Sequence, residues 1–152
     1  MNETRLAAFK IERRTVSAAV FAGEQLDYTH LRQLASDPRK AESSAVGFAQ
    51  WIVDALRVEG VAVEQVDSKV TSRRQSLTEA VVSSLRADGV VVWQVMKTEL
   101  LFSYGVPALK TRTELRAVVD SFWPVVPTTA VHGSALDAAA LGLYVQIQRA
   151  LA

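Results

Sequence analysis

Three strand-like runs crowd into the first 34 residues, leaving no room for a helix between them, and the rest of the chain alternates helix with strand. Leu6 to Glu12 and Thr15 to Ala22 are apolar and β-branched enough to extend. Gly23-Glu24 supplies a tight turn into Gln25 to Leu34, where Leu26, Tyr28 and His30 fall on one face at period two. The expected result is an antiparallel meander.

Helical periodicity then takes over. Asp37-Pro38 reads as an N-cap followed by proline in the first turn. Ala45, Phe48, Ala49, Ile52, Ala55 and Leu56 form one apolar stripe, and Gly60 is expected to end the helix. Val61 to Val66 reads as a compact strand with Glu64 near its end. Ser76 and Glu79 form a capping-box pattern for a second helix, which Gly89 can end in the left-handed conformation. Val90 to Met96 is a nearly unbroken apolar strand of the kind buried on both faces of a sheet. Thr111 and Glu114 open a helix that Pro124 stops, and Ser134 and Asp137 open the last one. Strands in an antiparallel set joined to βαβ units predict an α/β fold, with a mixed five-stranded sheet and helices on both faces.

The length of 152 residues suits one domain, 1–152, with 49% hydrophobic and 22% charged residues arguing against disorder. Without cysteine there is no disulfide framework and no thiolate zinc site. No apolar run approaches the ~20 residues that span a bilayer, and the N-terminus lacks a signal-peptide layout. A cytoplasmic protein without membrane contact is the expectation. Seventeen basic against sixteen acidic residues leave a net charge of +1, so bulk charge neither proposes nor forbids nucleic acid.

The element order, and three strings within it, resemble the ribonuclease-H-like superfamily in its RuvC branch of Holliday-junction resolvases. Val61-Ala62-Val63-Glu64-Gln65-Val66 is similar to the fourth strand of that family, whose glutamate binds a catalytic metal. Val95-Met96-Lys97-Thr98, with Gly105 and a helix from about Thr111, resembles its lysine-bearing segment. Leu136-Asp137-Ala138-Ala139-Ala140-Leu141 resembles its aspartate-led final helix. The resemblance implies a metal-dependent, structure-selective DNA endonuclease. Phosphodiester hydrolysis in such a site uses two divalent ions roughly 4 Å apart, held by hard carboxylate oxygens. It further implies Mg²⁺ or Mn²⁺, branched DNA as substrate and a two-fold homodimer matched to a four-way junction.

By that resemblance Glu64 and Asp137 would hold metal, Glu12 would stand in as the first-strand acid, and Lys97 would steady the phosphate. The first strand departs from the family pattern, because Lys10 falls close to where the family carries an aspartate. The last helix has one acid where the family often has two, with Ser134 or Ala140 at the second place. A lysine beside Glu64 competes with a metal ion. A second reading therefore stands beside the nuclease: a catalytically inactive relative that binds DNA or a protein partner. A third is an assembly role without nucleic acid.

Lys69, Arg73 and Arg74 follow Glu64 among serines and threonines, a composition suited to phosphate-backbone contacts. The same residues also suit a solvated face. Asp137 doubles as a helix-capping acid, and His132 lies near the mouth of the expected site. Trp51, Trp93 and Trp123 sit in apolar patterns and read as core or interface residues.

Overall fold

The computed structural model describes residues 4–23, 25–66, 72–104, 109–122 and 133–151. Strands β1 (Arg5–Ile11), β2 (Thr15–Ala22) and β3 (Gln25–Gln33) form the expected antiparallel meander. They are followed by α1 (Pro38–Ala55), β4 (Gly60–Gln65), α2 (Ser72–Ala87) and β5 (Val91–Met96). Helices α3 (Lys97–Ser103), α4 (Arg112–Phe122) and α5 (Gly133–Leu151) complete the order. The sheet runs β3-β2-β1-β4-β5, with β4 parallel to both β1 and β5. This is the mixed five-stranded architecture expected from the sequence.

Alternation along the strands divides the interior into two cores. Ala7, Phe9 and Ile11 of β1 point to one face, where α1 and α2 contribute Phe48, Ile52, Leu77, Val81 and Leu85. Leu6 and Ala8 point to the other, where Leu100, Leu115, Val119 and the run Ala138 to Leu141 cover them. Each fully buried Leu, Val or Phe contributes about 1.5–3 kcal/mol, so both layers stabilise the sheet. The small residues of α5 let it lie close on β2. A side chain at Gly142 would collide with the buried ring of Phe21.

Local signals settle several boundaries. The Asp37 side chain accepts from the Lys40 N–H at 3.1 Å and Pro38 opens α1, as expected. Thr111 Oγ1 accepts from the Glu114 N–H at 3.2 Å, capping α4. Gly89, at φ 82°, closes α2 in the left-handed region.

Other expectations are corrected. Helix α1 stops at Ala55 and Arg57 takes the left-handed turn at φ 53°, while Gly60 belongs to β4 because Trp93 packs across its Cα. Helix α2 begins four residues before the Ser76–Glu79 box. A register shift between β2 and β3 at Val20/Phe21 breaks the period of β3, sending Leu26 to one core and Tyr28 to the other. Strand β5 ends at Met96 as expected, and Lys97 directly follows it as the first residue of the short helix α3, which was not expected. Trp93 packs against the second core, Trp51 is 54% exposed, and Trp123 lies outside the described residues. Among the described residues no helix is long and apolar enough to cross a membrane.

Candidate functional site

A cleft of about 520 Å³ opens where the carboxyl ends of β1, β4 and β5 meet α4 and α5. Crevices at that end of parallel strands are where open α/β sheets bind ligands. Register explains what meets there. Phe9 of β1 lies opposite Val63 of β4, so Lys10 and Glu64 are the next residues along neighbouring parallel strands. Both stand on the sheet face that α5 covers, and Asp137 descends from the first turns of α5 onto the same spot.

These three polar groups are buried: Lys10 is 3% exposed, Glu64 4% and Asp137 1%. Charges so placed must be paired. Lys10 Nζ and Arg74 Nη2 both donate to Glu64 Oε2, the latter at 2.7 Å. Arg112 Nη2 donates to Glu64 Oε1 at 2.8 Å. Arg116 grips Asp137 with both ends of its fork, Nε to Oδ1 at 3.0 Å and Nη2 to Oδ2 at 2.8 Å. Arg112 Nη1 also lies 3.3 Å from Asp137 Oδ1, which makes Arg112 a strut between the two acids. All four carboxylate oxygens of Glu64 and Asp137 therefore face a protein cation.

The electrostatics follow from this geometry. Burial pushes the Glu64 carboxyl up, but Lys10 and Arg112 outweigh it and hold the group at about 2. Burial pulls Lys10 below the usual lysine value, against the attraction of Glu64, and Arg112 and Arg74 repel it in the same downward direction. For Arg112 burial works downward too, yet Glu64 and Asp137 together raise it. The hydrogen bonds to Asp137 raise Arg116. Lys10, Arg74, Lys97, Arg112 and Arg116 line the cleft with five positive charges, and Glu12, Glu64 and Asp137 with three negative ones, a surplus of two.

The structure brings Glu64, Asp137, Glu12 and Lys97 to one cleft. Glu12 lies past the end of β1 in the turn closed by its N–H to the Thr15 carbonyl at 2.9 Å, on the Arg116 side of the cleft. Lys97 is an exposed rim residue at the start of α3. Arg74 turns inward, its Nε donating to the Ile11 carbonyl at 2.8 Å. Arg73 is committed elsewhere: Nε, Nη1 and Nη2 donate to the carbonyls of Arg13, Ser36 and Ala35 at 3.0, 2.7 and 2.7 Å. It staples the β1–β2 turn to the loop before α1. Lys69 and His132 lie outside the described residues, and Ala140 is buried and apolar.

Sequence reasoning missed Arg112 and Arg116. Their spacing of four on α4 was the available signal, since it puts both guanidinium groups on one helix face. The fit of this site to divalent ions is poor. Magnesium requires oxygen ligands at about 2.0–2.1 Å, and here every oxygen of the two buried acids carries a cationic donor instead. Among the described residues no group of three or more His, Cys, Asp or Glu is arranged to hold a metal.

The fold is ribonuclease-H-like in the form found in Holliday-junction resolvases. Neither a protein-family model nor a curated protein matches the sequence. Among solved structures, a Thermus thermophilus RuvC structure superposes with a TM-score of 0.76 at 14% identity, covering 97% of this chain and 96% of that one. RuvC of the same organism in complex with Holliday junction substrate gives 0.77 at 14% identity, covering 95% and 96%. The yeast mitochondrial Holliday-junction resolvase gives 0.68 at 9% identity, covering 97% and 83%. At such identities the likeness establishes the fold, and the residues must speak for the chemistry.

Proposed function

We propose that this chain is a non-hydrolytic, nucleic-acid-binding form of the RuvC-like scaffold, in which lysine and arginine side chains take the place of catalytic metal ions. The observation that carries this reading is the enclosure of Glu64 and Asp137 by Lys10, Arg74, Arg112 and Arg116. A resolvase-type nuclease needs those carboxylates free to hold ions that activate water and stabilise the leaving oxygen. Guanidinium and ammonium groups can attract a phosphate backbone, yet they generate no hydroxide at neutral pH. This pairing favours the inactive alternative over the nuclease expectation.

Nucleic acid is the ligand class supported by the positive surplus of the cleft and by its place at the carboxyl ends of β1 and β4. The fold neighbour in complex with a Holliday junction makes branched DNA the first candidate; a four-way junction is two-fold symmetric, which two copies of the chain would match. In this reading Lys97 contacts phosphate at the rim, while Glu64 and Asp137 anchor the arginines.

The test is fluorescence anisotropy with a labelled four-way DNA junction in EDTA, alongside a nicking assay with Mg²⁺ or Mn²⁺. Binding without divalent ions, weakening as salt rises, and no nicked product are the expected results. Metal-dependent nicking that Glu64→Gln or Asp137→Asn abolishes would overturn the proposal and restore the nuclease.

A further inference from the structure

We infer that the cleft is a direct oxyanion site, in which Arg112 and Arg116 take a phosphoryl group with no bridging metal. This inference rests on the nucleic-acid reading and deepens it by naming the chemistry that is bound and the side chains that bind it.

Three observations converge. First, Arg112 Nη1 is buried and makes no hydrogen bond; it sits 3.3 Å from Asp137 Oδ1 as an ion pair without bonding geometry. A buried donor without an acceptor is unfavourable, and a ligand oxygen reaching it from the cleft that Arg112 lines would relieve that cost. Second, Arg116 uses Nε and Nη2 on Asp137 while its side chain stays 37% exposed. A guanidinium carries five N–H donors, so capacity for a second anion is left over. Third, the cleft keeps its surplus of two positive charges after every internal ion pair is counted, with Lys97 at the rim.

The two arginines also have defined positions. Glu64 and Asp137 fix Arg112 from both sides, and the fork on Asp137 fixes Arg116. Side chains already ordered lose less entropy when a ligand arrives, which favours binding. Planar forks match the oxygens of a phosphoryl group in a way that a lysine point charge does not. A cleft of about 520 Å³ exceeds what one phosphoryl group fills, so the natural ligand carries flanking groups, as a nucleotide or a phosphodiester backbone does.

Isothermal titration in EDTA with inorganic pyrophosphate, and separately with a short oligothymidylate, tests the site. Arg116→Gln alters a partly exposed residue, and Arg112→Lys keeps a cation beside Glu64 while removing the spare fork nitrogen. Circular dichroism melting checks that both variants fold. Pyrophosphate is expected to bind wild type, and each variant to weaken it about fivefold or more. Glu12→Gln, which removes a negative charge from the lining, is expected to tighten it. If pyrophosphate fails to bind, or binds equally to all variants, the inference is overturned; junction binding in EDTA would still stand, with its contacts elsewhere. If pyrophosphate binds and responds to the variants while oligothymidylate and junction do not bind, the oxyanion site holds for a free phosphate ligand and the nucleic-acid reading falls.

Discussion

Lys10 and Glu64 form a buried ion pair between the ends of two neighbouring parallel strands, and Glu64 is the partner shared by three cations. The two residues are therefore unequal. Removing Lys10 leaves Glu64 with Arg74 and Arg112, and relieves a lysine that burial and two arginines disfavour. Removing the charge of Glu64 strands Lys10, Arg74 and Arg112 together.

Glu64→Gln is accordingly expected to cost about 3–5 kcal/mol of folding stability, the range for breaking a buried pair. Lys10→Met, similar in volume and apolar, is expected to cost no more than about 2 kcal/mol. Denaturant unfolding of both variants measures the difference. Equal losses would contradict the asymmetry.

Acid should act through the same carboxylate. Held at about 2 in the folded chain against an ordinary value of 4.5, Glu64 binds its proton less readily folded than unfolded. Its contribution is complete above the unfolded value and is lost as pH falls from about 5 to about 2, an amount of roughly 3 kcal/mol. Unfolding free energies at pH 7, 5 and 3 should decline more steeply for wild type than for Glu64→Gln. Parallel profiles would show that the carboxylate is not held down.

Close approach of α5 to β2 positions Asp137, and Gly142 is what permits it. Gly142→Ala drives a methyl group into the Phe21 ring, which is fully buried and has little room to yield. A loss of about 1–3 kcal/mol is expected from overpacking, seen as a lowered Tm. An unchanged Tm would mean that α5 sits further from the sheet than described.

Much of the scaffold was legible because its signals are local. The Asp37-Pro38 cap, the Thr111–Glu114 cap and Gly89 each act within a few residues, and each marks a real boundary. The short α3 was not legible, since seven residues with Leu100 as the buried one give no periodic stripe. The shift in β3 depends on its pairing with β2, which no run of residues announces. For the site, the resemblance carried by Val61 to Val66 and Leu136 to Leu141 pointed to Glu64 and Asp137, and the departure from the family pattern in the first strand pointed to Lys10. Arg112 and Arg116 could not be told from a solvated helix face, because their role arises only when α4 packs beside α5. Arg73 looked equally available, yet three carbonyls from two distant loops claim its donors.

The central claim, that protein cations occupy the place of metal ions, is tested most directly by titrating Mn²⁺ into wild type and Lys10→Asp, with calorimetry as the readout. The substitution turns five cations and three carboxylates lining the cleft into four of each. Wild type is expected to give no stoichiometric binding, and Lys10→Asp to bind the ion in a manner that Glu64→Gln, added to it, abolishes. Stoichiometric Mn²⁺ binding by wild type, lost in Glu64→Gln, would contradict the account and return Glu64 and Asp137 to the role of metal ligands.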